Sequence, residues 1–443
     1  MKAPFNLHLG DTVDLMRAMP DNSVDSVVAD GPYGLGFMGK AWDGAAITKR
    51  SADRRAAASR DPKTAENGGY RSDAAAAGAY DLSPAGMRAF QEFSREWGAE
   101  ALRVLKPGGH LLSFCAPRTY HRMTCGLEDA GFEIRDQLMW VFAQGFPKSH
   151  NLQGEWEGWG TAMKPAHEPI AMARKPLAKG HTVAASMQAH GTGALNIADC
   201  RVGNESTART TAMSMNGGNL MSQSPGEKIA TGGDMGRWPA NLMHDGSAVV
   251  LEAFPDAPGQ QAPASTSTKP RDGQNVYGSM ARGRGTEDSA DSENAGAVGF
   301  KMKPGMRRMD TGSAARFFFC PKASRQDRNE GLPSFATPAV RAGATMGDRE
   351  RADWEARNGN HHPTVKPTEL MRYLCRLVTQ PGGIILDPFM GSGSTGKAAM
   401  LEGFRFIGND ENPAYVEIAR ARILWAWTQR LHATRQPSLF AEA

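Results

Sequence analysis

Apolar and polar positions follow two periods near the two ends of this chain and lose both in its middle. Short apolar runs mark buried strands at Ser26 to Ala29, His110 to Phe114, Phe132 to Val141, Gly383 to Leu386 and Phe404 to Gly408. Between them, Pro84 to Leu105 sets Met87, Phe90, Phe93, Trp97, Leu102 and Leu105 at helical spacing, and Lys106-Pro107-Gly108-Gly109 closes the run. One apolar face at that period assigns these aromatics to a core rather than to a ligand surface. Residues 5 to 44 read as strand, helix, strand and loop. Apolar strands alternating with helices predict an α/β fold, a doubly wound sheet that is largely parallel.

The pattern fails in two places. Ala45 to Ala79 is rich in alanine, arginine and glycine without a clear apolar period, and is expected to be mobile. From about Trp156 to Ala315, glycine, serine, methionine and short polar runs dominate, with islands such as Gly236-Arg237-Trp238-Pro239-Ala240-Asn241-Leu242. A stretch this long is a second domain, a partly disordered one, or an unstructured insertion without contacts. Within it, Lys301, Lys303, Arg307 and Arg308 form a basic cluster, which is either a solvated face or a set of phosphate contacts. Arg316-Phe317-Phe318-Phe319 is expected to bring the chain back into the sheet. The resulting division is 1–155, 156–315 and 316–443.

Chemistry concentrates at two strand ends. After Gly383 to Leu386 comes Asp387-Pro388-Phe389-Met390-Gly391-Ser392-Gly393-Ser394, where small residues open a helix. Glycines let the backbone approach a ligand, and a helix start offers free N–H groups. The next strand ends in Asn409-Asp410-Glu411-Asn412, about twenty residues on, where a doubly wound fold places an acid against a ribose. These features predict a nucleoside-cofactor site, with Asp387 able to accept a bond from a cationic amine. A phosphate-loop reading competes, because Gly391 to Lys397 matches most of that pattern, but Ala398 lacks the hydroxyl that would hold magnesium. A merely structural glycine turn is the third reading.

At the other end, Ser26 to Ala29 runs into Asp30-Gly31-Pro32-Tyr33-Gly34. Alone, this is a turn signal. Together with the glycine run it resembles the DNA amino-methyltransferases, which carry Asp-Pro-Pro-Tyr or a close relative here and Phe-x-Gly-x-Gly in the cofactor loop. The order, catalytic run first and cofactor loop last, resembles the β group of that family. Leu7-His8-Leu9-Gly10-Asp11 and His362-Pro363-Thr364-Val365-Lys366-Pro367 fit as well, and Gly145 to Asn151 and Lys164 to Pro169 look like segments of phage-type members.

The resemblance implies a Rossmann-like domain with permuted motif order around an inserted target-recognition region. It also implies S-adenosyl-L-methionine as cofactor, double-stranded DNA as substrate and a homodimer. Asp30, Gly31, Pro32 and Tyr33 would carry catalysis. The cofactor would lie against Asp387, Phe389, Gly391, Ser392, Gly393, Ser394, Asp410 and Asn412, with Asp11, Thr364 and Lys366 added by resemblance alone. Gly31 stands where the family usually has proline; the carbonyl acceptor is kept and rigidity is lost. Asp30 favours the N6 amine of adenine, since enzymes acting on the N4 amine of cytosine more often have serine there. A DNA-binding module that has lost catalysis is a further alternative, as are RNA or protein amide substrates, since related tetrapeptides serve amines there too.

Composition narrows this further. Methylating carbon 5 of cytosine needs a thiolate, yet none of the five cysteines follows a proline, as that nucleophile does, and none forms a Cys-x-x-Cys pair for zinc. No metal site is expected. The net charge of +4 is too small to establish nucleic-acid binding by itself. No apolar run approaches a bilayer span, and Met1-Lys2-Ala3-Pro4 opens no signal-peptide core, so the expected compartment is the cytoplasm.

Overall fold

The computed structural model describes residues 3–34, 84–143, 151–203, 236–256, 312–321, 326–332, 360, 362 and 364–435, plus a few short strands between 210 and 302. The segment 45–79, most of 145–151, and Lys303, Arg307 and Arg308 lie outside the described residues; Lys301 falls in a two-residue strand, Lys301–Met302.

The sequence runs become an alternating series. In chain order these are β1 (Phe5–Leu9), α1 (Thr12–Ala18), β2 (Val24–Ala29), α2 (Pro84–Val104), β3 (Leu105–Phe114), α3 (Tyr120–Asp129), β4 (Glu133–Val141) and β5 (His167–Arg174). After α4 (Val183–His190) come β6 (Leu242–His244), α5 (Thr368–Val378), β7 (Ile384–Asp387), α6 (Ser394–Glu402), β8 (Arg405–Asp410) and α7 (Pro413–Arg435). One eight-stranded sheet collects them in the order β1-β8-β7-β2-β3-β5-β4-β6. All neighbours pair parallel except β5, which is antiparallel to both β3 and β4.

Both ends of the chain share this sheet, because β1 pairs with β8 in the register Phe5↔Phe406 to Leu9↔Asp410. From β7 the chain crosses through α6 outward to β8, whereas from β2 it crosses through α2 the other way to β3. The sheet order therefore reverses between β7 and β2, whose pairing Ile385↔Ser26 and Leu386↔Val27 sets their carboxyl ends side by side. A doubly wound sheet opens its ligand crevice at such a reversal.

The helix predicted from Pro84 forms with the predicted face inward: Met87, Phe90 and Trp97 are buried, and Phe93 and Leu102 pack against the same core. Its end differs from expectation. Leu105 already begins β3, and Lys106 to Gly109 form an irregularity inside that strand, between the pairs Val24↔Leu105 and Ser26↔His110. The Lys106 ammonium is drawn there by the buried Asp25 carboxylate at 2.6 Å, so a segment that reads as a stop is held in the sheet.

Two further expectations are corrected. Among the described residues Arg316 to Phe319 add no strand to the eight-stranded sheet: Ala314–Phe317 is a single 3-10 turn, with Ser313 Oγ accepting from the Ala315 N–H. The compact first unit comprises Met1–Cys200, Asn241–Val250 and Cys320–Ala443, and the second comprises Arg201–Ala240 and Leu251–Phe319. Residues 156 to 200 thus belong with the sheet, because β5 supplies a central strand that the polar stretch before it concealed. Within the second unit, Thr210–Met213 pairs antiparallel with Lys228–Thr231, and Arg237 exchanges backbone bonds with Val202. Among the described residues no helix is long and apolar enough to cross a membrane.

Candidate active site

The crevice between β7 and β2 is lined first by the glycine run. Gly391 and Gly393 take left-handed backbone (φ 50° and 76°), which side chains rarely adopt. A Cβ would also meet His362 at 2.6 Å from Gly391 and Ala419 at 2.8 Å from Gly393. Gly393 caps α6, so the loop hands over to a helix start as the sequence predicts.

The acids around the loop are braced. Asp410 Oδ2 accepts from the Gly391 N–H at 3.0 Å and Oδ1 from the Asn412 N–H at 2.8 Å. A carboxylate has further lone pairs, so these bonds leave it capacity for a ribose hydroxyl. Burial raises its pKa to about 6, against those two bonds. Asp387 is buried at the end of β7 and its pKa rises to about 7, first through burial, with the Thr395 and Phe389 hydrogen bonds opposing and the Asp30 and Asp410 charges adding to it.

Other residues expected at the cofactor have local duties as well. Asp11 caps α1 through Val13 N at 2.8 Å and Asp14 N at 3.0 Å, and Asn412 Oδ1 accepts from the Ala414 N–H. Ser392 and Ser394 face the buried Arg422 guanidinium, whose NH1 lies 3.0 Å from Ser392 Oγ. The Thr364 backbone is tied to the His362 ring. The phosphate-loop reading fails on Lys397, which is wholly buried and spends its ammonium on Glu330 at 2.6 Å, Thr368 Oγ1 at 2.9 Å and Asp327 at 3.5 Å.

Directly after β2, Asp30 stands at the same edge. Tyr33 donates its hydroxyl to Asp30 Oδ1 at 2.9 Å, and Thr119 Oγ1 donates to the Tyr33 carbonyl at 2.6 Å, tying the loop to the start of α3. Gly31 packs on the Phe389 ring: a Cβ there would sit 3.0 Å from Phe389 Cδ2. That ring is in turn wedged edge-on against Trp97, centroids 5.4 Å apart. The missing proline therefore has a steric counterpart, an aromatic ring of the glycine run occupying the space over Gly31.

Lys366 is placed differently from its expected neighbourhood. Its ammonium, 5% exposed, lies 2.8 Å from Asp30 Oδ2, 3.1 Å from Tyr33 Oη and 3.2 Å from Glu168 Oε2. Burial alone would lower its pKa, but the two carboxylates outweigh that and raise it. Burial raises Glu168, and raises Tyr33 well above its ordinary range together with the Asp30 and Glu168 charges. In the sequence Glu168 is part of the Lys164 to Pro169 segment and carries no assigned role there. Because β5 is antiparallel, its first residues, not its last, reach the crevice edge; the available signal was an acid opening the apolar run Ile170 to Ala173.

Among the described residues no cluster of histidine, cysteine or acidic side chains could hold a metal. A doubly wound sheet with a glycine-lined crevice and an acid-aromatic loop beside it defines a cofactor-dependent enzyme of the α/β class. The chain belongs to the DNA methylase family, whose pattern matches residues 24–421. S-adenosylmethionine is the methyl donor of that family. Among curated relatives, the chain is 25% identical over 203 residues to type II methyltransferase M.HindIII of Haemophilus influenzae, covering 43% of this chain and 64% of that protein. It is 48% identical over 62 residues to type II methyltransferase M2.DpnII of Streptococcus pneumoniae, 14% of this chain and 23% of that one. The chain thus spans less than two thirds of either relative. Among solved structures, the PvuII cytosine-N4-specific DNA methyltransferase aligns over 97% of this chain and 93% of its own, with 11% identity and a TM-score of 0.42.

Proposed function

We propose that this chain transfers a methyl group from S-adenosylmethionine to the N6 amine of adenine in double-stranded DNA, acting on a base turned out of the helix. The observation that carries the reading is the pairing of β2 with β7, which sets Asp30 and Tyr33 beside the glycine loop. An exocyclic amine shares its lone pair with the ring and is a poor nucleophile, so it has to be steered. The Asp30 carboxylate and the Gly31 carbonyl accept the two amine hydrogens, which favours a pyramidal nitrogen with its lone pair aimed along the crevice. Positioning and fixed dipoles then supply most of the rate. The Tyr33 ring offers the flipped base a stacking face.

The crevice fits the cofactor on two counts: left-handed Gly391 and Gly393 bend the backbone tightly into the start of α6, and acids withdrawn from water stand at the ends of β7 and β8 for a cationic amine and a ribose. When bound, the cofactor supplies an electrophilic methyl. Asp387, Asp410 and the backbone of Gly391 to Ser394 would hold it. The second unit would recognise the flanking sequence, with Lys301, Lys303, Arg307 and Arg308 against phosphates rather than bases, and the protein would work as a homodimer. Among the described residues its five cysteines form no disulfide, which suits the reducing cytoplasm.

Nucleoside analysis of duplex DNA after incubation with the protein and labelled cofactor tests the reading. N6-methyladenine is the expected product. N4-methylcytosine would move the assignment to the other exocyclic amine, for which the same acceptors serve, and tight cofactor binding without any methylated base would leave a DNA-binding homologue.

A further inference from the structure

Two carboxylates share one ammonium in this crevice. Lys366 Nζ lies 2.8 Å from Asp30 Oδ2 and 3.2 Å from Glu168 Oε2, while Tyr33 Oη donates to Asp30 Oδ1 at 2.9 Å. Each Asp30 oxygen available to a target amine therefore already has a donor. An ammonium holds a carboxylate more strongly than a neutral amine hydrogen does. A second lone pair on Oδ2 remains open to the target, but the amine then shares that oxygen with an ammonium that draws its charge away, and a buried ammonium moves off only toward another anion. Glu168 is that anion. Its buried Oε2 already lies 3.2 Å from Nζ, farther than Asp30 Oδ2 at 2.8 Å and without good hydrogen-bond geometry, so this contact can tighten as the one to Asp30 loosens. The faces of Phe114 and Tyr33, with centroids 4.9 Å and 5.6 Å from Nζ, keep the ammonium favourably surrounded throughout such a short move.

Resting on the reading that Asp30 accepts the target amine, we infer that Glu168 is a positioning residue that draws Lys366 off Asp30 when the amine arrives. Asp30 is thus capped between turnovers and open during them. Lys366 is the movable cap, and its charge stays compensated in both positions. No proton or bond changes hands in the exchange. Only the ammonium's partner does.

The test measures methyl incorporation into methylation-free duplex DNA of mixed sequence, with thermal melting and calorimetric S-adenosylmethionine binding on every variant. Glu168→Gln keeps the size of the side chain and removes its charge, so Lys366 remains on Asp30. The expected result is a fall of about 10- to 100-fold in kcat/KM, the usual worth of one charged hydrogen bond, with melting and cofactor affinity held. Adding Lys366→Met uncaps Asp30, so the double variant is expected to be more active than Glu168→Gln alone, a rescue that a structural brace would not show. If Glu168→Gln loses cofactor binding, Glu168→Asp, which keeps the charge, is expected to retain transfer. A wild-type rate in Glu168→Gln, a double variant no better than the single one, or an inactive but cofactor-binding Glu168→Asp would overturn the inference. Wild-type protein that methylates no duplex would overturn the functional reading and this inference together, whereas an active wild type with purely additive variants sinks this inference alone.

Discussion

At the scale of single residues, the site is a set of hydrogen-bond acceptors already paired with donors of the protein's own. Asp30 accepts from Tyr33 and Lys366 and lies outside the glycine loop. Asp30→Ala is therefore expected to abolish methyl transfer while sparing S-adenosylmethionine binding, read by isotope incorporation beside calorimetry; transfer near the wild-type rate would remove Asp30 from its role. Tyr33 has two functions that substitution separates. Tyr33→Ala is expected to weaken the hold on the flipped base by about 1 to 3 kcal/mol, the worth of a stack on an aromatic ring. Tyr33→Phe keeps the ring and gives up only the hydroxyl's bonds, donated to Asp30 and accepted from Lys366, so it should be tolerated far better. Equal losses in the two variants would show that the hydroxyl matters and the stack does not.

At the scale of elements, β7 ends in a carboxylate that folding keeps away from water. The Asp387 pKa is raised from its ordinary 3.8 to about 7. Between those values the folded chain holds a proton that the unfolded chain has released. The stability this contributes is full below the ordinary pKa and is lost as pH rises through about 7. Asp387→Asn removes the ionisation, so its melting temperature relative to wild type is expected to be higher at pH 8 than at pH 5. The same change should weaken S-adenosylmethionine binding at pH 8, where the wild-type carboxylate is charged and can meet a cationic amine. A melting difference that does not vary with pH would show that Asp387 ionises normally. The strand's stability is thus lower than it could be where the site needs charge.

On the whole-molecule scale, chemistry and recognition are expected to reside in different parts of the chain. Arg201–Ala240 and Leu251–Phe319 form a compact unit that contains neither the Asp30 loop nor the glycine run. Exchanging these two stretches for those of a relative with a different target is expected to move the methylated sequence and leave the methylated base unchanged, as mapping of modified positions in genomic DNA would reveal. An unchanged sequence would place recognition elsewhere, with 45–79 the next stretch to test.

The parallel strands β1 to β4, β7 and β8, the long helix from Pro84 and both chemical runs follow from the sequence alone, because each is encoded locally, whereas β6 lies in the stretch without a period. Apolar periodicity fixes an element and the face it buries, while glycines, a proline and a strand-end acid fix a loop that approaches a ligand. Other features depended on neighbours distant in the chain. Lys106 to Gly109 reads as a stop but stays in β3 because Asp25 holds Lys106. Lys397 imitates a phosphate-loop lysine until Glu330 and Asp327 are seen to neutralise it. Glu168 becomes part of the site only because β5 runs against its neighbours, and Lys366 turns to Asp30 across 336 positions of sequence. A side chain's residue type and spacing are local properties, but which charge it meets after burial is decided by packing, and that meeting sets its pKa and its partner. The sequence therefore determined which chemical groups this protein carries, and the tertiary structure decided which of them share one crevice, since only folding can exclude the water that would otherwise keep their charges independent.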